Sequence, residues 1–498
     1  MTITIDAGHP GPVVPGDFAG LSFEVGPLRP GNAGVTGYLF SPENQSLITL
    51  FRNLGLGSLR IGGGTVDQLI PAGTGSDGFT GIDNLFAFAG AAGVKVIYSL
   101  RLLNPGAKPP ISDLKALHAK VAGRIWRRYR EHVASFAIGN EPDWTSYHSS
   151  EGHLADPAIY EATLGVPGSA YPSYLTHWQS IADAVGDAAP GALLSGPDTG
   201  AYNSMTYTPD PDSGVSWTER LARDERDFGR MAEVTQHYYV GDSPGDTTAQ
   251  QAISNMLSPA WVNGTAIGNQ PTGTTYTPYP WLYESNLAPV VAAGLRYRLT
   301  ESNDYVKGVL GASDAFASAL WALDHLHWWA AHGAAGVNFH NKQWLCTDTI
   351  VPDPAGGGGY AISPKGYGIK AFTLGSAGRV RHAQIHNPDG INLTAYCVGA
   401  AGEDYVTVIN KAHGAGAPDA AVTIVPPGPK LRRVRVITLA GGQPGDARGT
   451  RATLGGATIT GDAPWDGRWS ALPADPRAGI SLTVKATTAA IVKIHSKG

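Results

Sequence analysis

Two glutamates stand at positions where a carboxylate is able to do chemistry. Glu141 follows the apolar run Val133–Ile138 within a Gly-Asn-Glu-Pro sequence, and proline forbids further ladder pairing, so a predicted strand ends there. Glu301 follows a second predicted strand over residues 295–300. Two carboxylates about 5–5.5 Å apart cleave glycosidic bonds with retention, one as acid/base and the other as nucleophile. The pair therefore predicts this chemistry if the fold brings both glutamates together.

Glu284 is the rival for the second position. It follows a loop and precedes a predicted helix over residues 286–293. Acidic residues near a helix N-terminus are favoured by the helix dipole, which explains Glu284 without a catalytic role. Glu301 is therefore the preferred partner of Glu141.

Strands and helices alternate along the first three quarters of the chain. The predicted strands cover residues 18–25, 58–61, 94–100, 133–138, 192–195, 233–237, 295–300 and 336–339. Strands separated by helices indicate parallel βαβ units, and eight units over residues 15–376 predict an α/β fold, a (β/α)8 TIM barrel. Glu141 then ends the fourth strand and Glu301 the seventh. Both lie at the carboxyl ends of strands, which is where such barrels hold their active sites.

The character of the sequence changes after residue 376. Short strands separated by Gly/Pro turns predict an antiparallel β-sandwich over residues 377–498, and the first strand, within residues 1–14, is expected to join it. A segment rich in Thr, Gly, Pro and Tyr, from Asn263 to Pro280, interrupts the barrel pattern. Long loops of this kind often act as lids or binding walls.

Composition excludes several classes of protein. A net charge of −5 and the lack of a long basic run argue against nucleic-acid binding. No apolar run approaches the roughly 18 residues of a membrane span, and two cysteines cannot build a disulfide framework or a zinc site. No signal peptide is visible, so the compartment stays open between the cytoplasm and secretion after removal of a leader. No metal or cofactor is expected, because two carboxylates supply both proton transfer and covalent chemistry.

Three further stretches carry a resemblance to a known family. They are Leu-Arg-Ile-Gly-Gly-Gly-Thr-Val-Asp over residues 59–67, Gln-His-Tyr-Tyr over residues 236–239, and Thr-Glu-Ser-Asn-Asp-Tyr over residues 300–305. With Glu141 and Glu301, they resemble glycoside hydrolase family 79, the β-glucuronidases and heparanases of the retaining (β/α)8-barrel clan. The resemblance implies an exo-β-glucuronidase whose partner is a carbohydrate or small glycoside.

The resemblance also implies roles for single residues. Glu141 is expected to be the acid/base, Glu301 the nucleophile, and Asn140 the group that binds the sugar 2-hydroxyl. A tyrosine after His237 should orient the nucleophile; Tyr239 is preferred and Tyr238 is the alternative. Positions at strand ends, and not the resemblance, predict four further contributors. Arg60 is expected to fix the nucleophile, with a simple ion pair at the base of the barrel as the alternative. His340, Asn341 and Trp144 are expected to line the sugar site, with core packing as an equal alternative for Trp144.

A uronate carboxylate would be bound by tyrosines and by the backbone of a glycine-rich turn. Tyr305 and Tyr360 resemble those tyrosines, but Val-Lys-Gly over residues 306–308 replaces the glycine run. Lys307 either pairs with the carboxylate or is solvated. This departure keeps open a clan relative acting on a neutral β-glycoside or arabinofuranoside. A non-catalytic carbohydrate-binding barrel is a further alternative, which the presence of both carboxylates disfavours, and a transglycosylase is another, for which the loop from Asn263 to Pro280 could build an acceptor site.

Overall fold

The computed structural model describes most of the 498-residue chain. The described residues are 1–32, 37–67, 69, 73, 78–102, 111–143, 170–200, 215–241, 247–264, 278–354, 356, 358–400, 402–426, 428, 431–473 and 479–496. Trp144 and most of the predicted loop from Asn263 to Pro280 lie outside these ranges.

Eight parallel strands close into a barrel, as predicted. After an N-terminal strand β1 (Thr2–Val14) they are β2 (Ala19–Glu24), β3 (Ser58–Gly62), β4 (Lys95–Leu100), β5 (Val133–Ile138), β6 (Leu194–Thr199), β7 (Met231–Gly241), β8 (Tyr297–Tyr305) and β9 (Val337–Asn341). Each strand pairs with the next, and β9 pairs with β2. Glu141 thus follows the fourth barrel strand, and Glu301 belongs to the seventh.

Three strands extend by at least four residues beyond the ends that the apolar pattern predicts. β6, β7 and β8 run on to Thr199, Gly241 and Tyr305, whereas the predicted ends are residues 195, 237 and 300. Glu301 therefore lies within β8 and not after it. In these extensions, polar residues continue the hydrogen bonding to neighbouring strands, and a search for apolar runs does not detect them.

Helices follow the strands on the outside of the barrel. They are α1 (Gln45–Leu54), α2 (Thr80–Ala92), α3 (Ile111–Tyr129), α4 (Ala170–Ala188), α5 (Trp217–Glu225), α6 (Ala249–Met256), α7 (Ala260–Asn263), α8 (Tyr279–Leu282), α9 (Ala288–Ala292), α10 (Phe316–Ala331) and α11 (Pro364–Gly375). Short 3-10 helices span Gly26–Leu28, Gly64–Val66 and Arg130–His132, and a π-helical turn spans Tyr283–Leu287. Among the described helices, none combines the length and apolar character needed to cross a bilayer.

The remaining strands build a second body. A hairpin, β10 (Ile350–Pro352) and β11 (Tyr360–Ile362), precedes β12 (Gly378–His386), β13 (Leu393–Ala400), β14 (Glu403–Asn410), β15 (Ala420–Val425), β16 (Leu431–Ala440), β17 (Thr453–Leu454), β18 (Ser470–Ala471), β19 (Ile480–Val484) and β20 (Thr488–Ser496). From β12 onward they form a curled, mostly antiparallel sheet that β1 joins, in agreement with the predicted β-sandwich.

Two details of that sheet differ from expectation. The sequence pattern also predicts a strand over residues 457–460, but the structure has only a single bridge there, from Ala457 to Leu454. β12 was not predicted, because its nine residues alternate between half-buried and exposed and include no apolar run.

The sheet is tied to the barrel through α10, the helix behind β8. Buried Asp324 accepts hydrogen bonds from Thr394 and Tyr396 of β13, both at 2.7 Å, and from Lys411 at 2.7 Å. At the start of α10, the backbone N–H of Phe316 donates to a sheet-loop carbonyl at 2.8 Å. The second body therefore fixes the helix that supports the strand of Glu301.

Candidate active site

The backbone after β5 turns Glu141 into the barrel mouth. Gly139 has φ 86° and Glu141 has φ 45°, so the residues on both sides of Asn140 have a left-handed backbone conformation. The N–H of Glu141 donates to the carbonyl of Asp198 at the end of β6, at 2.8 Å. Glu141 is only 5% exposed, and its position is therefore fixed by the neighbouring strand.

Glu301 owes its direction to an irregularity in β8. The register shifts between Gln236 and His237 on β7, opposite this part of β8. A bulge lets successive side chains leave strict alternation, and both Thr300 and Glu301 make contacts inside the barrel. Thr300 donates to Asp198 at 2.5 Å, and Glu301 accepts from Tyr239 at 2.7 Å.

The two glutamates meet across the mouth. One carboxylate oxygen of Glu141, one of Glu301 and a ring nitrogen of His237 all lie within 4.8 Å of one another. All three side chains are buried. The spacing of these atoms would suit a metal ion, but Glu301 already accepts hydrogen bonds from Arg60 and Tyr239, and Nδ1 of His237 forms a hydrogen bond with Glu141.

Arg60 is the central cation of the site. Its buried guanidinium donates to Glu301, Asn140 and Asp198, each at 2.7 Å, and to Ser22 at 3.2 Å. A planar fork of donors suits such simultaneous recognition of carboxylates. Arg60 therefore lies at the mouth of the barrel and not at its base.

The two carboxyl groups have opposite protonation preferences. Burial raises the pKa of Glu141, the charge of Glu301 adds to the rise, and the hydrogen bond and charge of His237 oppose it. Burial also acts to raise the pKa of Glu301, but the charges of His340, His237 and Arg60 and the Tyr239 hydrogen bond outweigh it and hold that pKa well below its usual range. One group is thus favoured as an acid and the other as an anion.

His237 lies between these groups. Its Nδ1 is 2.8 Å from Glu141, and its Nε2 is 3.8 Å from Asp198. Burial acts to lower the pKa of His237, but the charge of Glu301 and the hydrogen bond to Glu141 prevail and raise it. His237 is consequently placed to share a proton with Glu141.

His340 occupies the other side of Glu301. Its Nδ1 is 3.2 Å from Ser22 and 3.7 Å from Glu301, and its Nε2 is 3.5 Å from Glu24. Glu24 ends β2 and accepts hydrogen bonds from the backbone and hydroxyl of Thr65. A third buried carboxylate therefore lies near the proposed nucleophile.

The adjacent tyrosines of β7 point in different directions. Tyr239 donates to Glu301. Tyr238 is buried against Tyr279, His325 and Trp329, with ring centroids 5.4, 5.7 and 6.1 Å away. Of the two alternatives for orienting Glu301, the structure therefore places Tyr239 in contact and Tyr238 behind the strand.

The residues expected to bind a uronate carboxylate are not connected to one another as the residues around Glu301 are. Tyr305 is fully buried and accepts a hydrogen bond from Asn255 of α6 at 3.2 Å. Lys307 is exposed, and Tyr360 packs beside Trp344 with ring centroids 5.8 Å apart. Between described residues, no hydrogen bond or ion pair joins any two of Tyr305, Lys307 and Tyr360.

Asn341 supports the loop after β9. Its amide nitrogen donates to the carbonyl of Phe339 at 3.0 Å, and its oxygen accepts from the N–H groups of Thr349 and Ile350 at 2.9 and 3.1 Å. The side chain thus holds the backbone of this loop, and its contact with a sugar stays a prediction. Glu284 is exposed on the π-helical turn.

The sequence analysis missed Asp198, Glu24 and Asp143. Asp198 follows Gly-Pro three residues beyond the predicted end of a strand, and Glu24 lies at the end of another, so a search for every acid near a strand end would have found both. Asp143 accepts from the N–H of Gly200 at 2.9 Å, and burial raises its pKa to about 7.

Solved structures with the same architecture span the whole chain, although no family model and no curated protein matches it. A 4-O-α-L-rhamnosyl-β-D-glucuronidase from Fusarium oxysporum 12S has a TM-score of 0.65 at 15% identity, covering 99% of this chain and 100% of that one. α-L-Arabinofuranosidase from Thermotoga maritima has a TM-score of 0.62 at 15% identity, and the GH51 arabinofuranosidase from Xanthomonas axonopodis pv. citri 0.61 at 14%; each covers 99% of both chains. At these identities the likeness concerns the fold.

Proposed function

We propose that this chain is a retaining glycoside hydrolase. The observation that carries the proposal is the separation of Glu141 and Glu301, whose nearest oxygens lie within 4.8 Å. Retaining enzymes hold their two carboxyl groups about 5–5.5 Å apart, whereas inverting enzymes need roughly 6.5–9.5 Å to admit a water molecule. The short separation favours direct attack by one carboxylate.

The opposite pKa directions assign the roles. Glu141, protonated at the start, donates its proton to the departing glycosidic oxygen. Glu301, ionised, attacks the anomeric carbon and forms a glycosyl-enzyme. Glu141 then removes a proton from water, which displaces Glu301 and releases the sugar.

The neighbouring side chains support both steps. Arg60 and Tyr239 hold the two oxygens of Glu301, which keeps the nucleophile aimed at one point. The oxygen of Asn140 accepts from Arg60 at 2.7 Å, so its N–H₂ is oriented to donate to the 2-hydroxyl. When Glu141 becomes negative, the nearby ring of His237 compensates the charge.

For the sugar, we propose a terminal β-D-glucuronide cleaved in exo mode. Support comes from the sequence motifs shared with family 79 and from the fold of the Fusarium enzyme, whose name specifies a glucuronidase. Lys307, being exposed, is free to approach a substrate carboxylate.

A neutral glycoside or arabinofuranoside is the second candidate, and Glu24 is the observation that favours it. β9 adjoins β8 and β2 adjoins β9, and His340 of β9 lies between Glu24 and Glu301, so Glu24 is on the β9 side of the proposed nucleophile. The charge of His340 and its hydrogen bond hold the pKa of Glu24 below its usual value against the effect of burial. A fixed anion there disfavours a uronate carboxylate and favours hydroxyl groups.

The test is a panel of nitrophenyl glycosides: β-glucuronide, β-glucoside, β-galactoside, β-xyloside and α-arabinofuranoside. Preference for the glucuronide by about 100-fold, or roughly 3 kcal/mol in transition-state binding, supports the first candidate, and a faster neutral sugar supports the second. NMR of the first-formed product should show the anomer of the substrate. An inverted anomer would overturn the retaining assignment.

Glu301→Gln separates an enzyme from a binding barrel. The amide cannot act as a nucleophile, so turnover should collapse while the fold and sugar binding persist. If wild-type protein binds sugar, hydrolyses none of the panel and is unaffected by the substitution, the chain is a carbohydrate-binding protein.

A further inference from the structure

We infer that Asp198 is the positioning residue that joins the two carboxylates of the site into one unit. The inference rests on the proposed retaining mechanism, because it concerns how Glu141 and Glu301 are held and charged. Asp198 lies at the end of β6, between the strand that leads to Glu141 and the strand of His237. It reaches both carboxylates through different atoms.

The backbone of Asp198 holds the Glu141 side. Its carbonyl accepts the N–H of Glu141 at 2.8 Å, and its own N–H donates to the hydroxyl of Thr235 at 2.9 Å. These hydrogen bonds fix the position of the Glu141 backbone relative to the ends of β6 and β7. A rotation of Asp198 would therefore move the proposed acid.

The side chain of Asp198 holds the Glu301 side. One oxygen accepts from Arg60 at 2.7 Å, and the other accepts from Thr300 at 2.5 Å. Arg60 in turn donates to Glu301, which is the next residue after Thr300. Asp198 is 1% exposed, so it acts through Arg60 and Thr300 and does not reach a substrate.

The conformation of Asp198 shows that this placement is built into the fold. Its φ is 55°, in the left-handed region, directly after Gly196 and Pro197. Aspartate and asparagine enter this region more readily than other residues with side chains, yet at a cost. The surrounding contacts have to over-determine such a conformation for it to persist.

The charge of Asp198 acts on the whole cluster. Its carboxylate faces Arg60 from β3 at 2.7 Å and His237 from β7 at 3.8 Å, and these two groups in turn contact Glu301 and Glu141. It shares the charge of Arg60 with Glu301, and together with Glu301 it favours the protonated form of His237. Removing its charge should make protons easier to lose throughout the cluster.

Asp198→Asn is the test. Asparagine keeps the shape, tolerates the left-handed backbone and offers an oxygen to Arg60 or Thr300, but it removes the charge. We expect kcat/KM to fall about 10- to 100-fold, as for loss of one interaction with a charged group. Both limbs of the pH profile should move to lower pH by about one unit, and the ¹⁵N NMR titration midpoint of His237 should fall.

Ser195→Ala is the matched control. Ser195 lies on the same strand and loses only an uncharged buried hydrogen bond to Ser135, which is 2.9 Å long. A merely structural role predicts that both variants lower the thermal midpoint and the rate without moving the pH limbs or the His237 midpoint. That result for Asp198→Asn would overturn the inference.

The His237 titration separates this inference from the proposed function. If the wild-type protein hydrolyses no glycoside, the proposed function fails, but the shift of the His237 midpoint between wild type and Asp198→Asn still decides the role of Asp198. If Asp198→Asn does not fold, Thr300→Val decides it, because that variant removes the bond between Asp198 and the residue before Glu301. A fall in kcat of about 10-fold with KM unchanged supports the inference, and an unchanged kcat overturns it.

Discussion

Two arginines are buried inside the barrel at opposite ends, which allows a sharp test of the site. Arg60 contacts Glu301 at the carboxyl ends of the strands. Arg298 contacts Glu233, Asp17 and the backbone before β9, at the amino ends. Substituting each by lysine keeps the charge and removes the planar fork, so the two changes are chemically the same.

The expected magnitudes follow from the hydrogen bonds. Arg60 donates four through two nitrogens, and a lysine ammonium with three donors on one atom cannot reach all of these acceptors. Loss of one bond to a charged group costs about 1.5–3 kcal/mol, which corresponds to a 10- to 100-fold loss of kcat/KM if it acts on the transition state.

Arg298 donates seven hydrogen bonds, two of them to Glu233. Lysine there should cost at least as much stability as lysine at position 60, about 3 kcal/mol or more. No atom of Arg298 contacts Glu141 or Glu301 among the described residues. The kcat/KM of the Arg298→Lys variant, per folded molecule, should therefore stay within a few-fold of the wild-type value.

The assay is kcat/KM on the preferred glycoside at a temperature where both variants are folded, with stability measured by denaturant unfolding. We expect Arg60→Lys mainly to lower kcat/KM and Arg298→Lys mainly to lower the free energy of unfolding. Equal activity losses in both variants would refute the reasoning, because Arg60 would then act only through the stability of the barrel.

Two more outcomes are expected. Tyr239→Phe should raise the pKa of Glu301 and lower kcat/KM about 10- to 100-fold, because it removes a hydrogen bond to the carboxylate. Tyr238→Phe is the matched control. Equal effects of the two variants on the pH–rate profile would contradict the assignment of Tyr239. Burial lowers the pKa values of His118 and His177 to about 4. The unfolded chain therefore binds protons at a higher pH than the folded protein does. The free energy of unfolding should be highest above pH 6.5 and should fall by about 3 kcal/mol for each histidine as the pH falls towards 4. Urea unfolding at several pH values measures this slope, and His177→Gln should reduce it.

The fold and the two glutamates could be predicted because they depend on local patterns. Apolar runs mark the strands, and the carboxyl ends of parallel strands in a closed barrel meet at one face. Glu141 and Glu301 could therefore be paired across 160 residues without knowledge of any contact. The boundaries failed where polar residues continue a strand, as at Glu301 itself.

Side-chain direction could not be predicted near the site. The register shift beside His237 breaks the alternation of inward and outward residues, and a shift of one residue exchanges the faces of a strand. Nothing local to Tyr238 and Tyr239 reveals that shift, since it depends on pairing with β8. The sequence analysis accordingly left both tyrosines open, and only the three-dimensional pairing separates them.

The charges that tune the site are the least accessible to sequence, because their partners are far apart in the chain. Asp198 pairs with Arg60 across 138 positions, and His340 faces Glu24 across 316. A motif search finds residues that resemble known ones, such as Tyr305 and Tyr360. A search of strand ends finds Glu24, but its contact with His340 appears only when β2 and β9 are adjacent. We expect that side of the site to influence the sugar preference, so a sequence resemblance predicts the reaction more readily than the substrate.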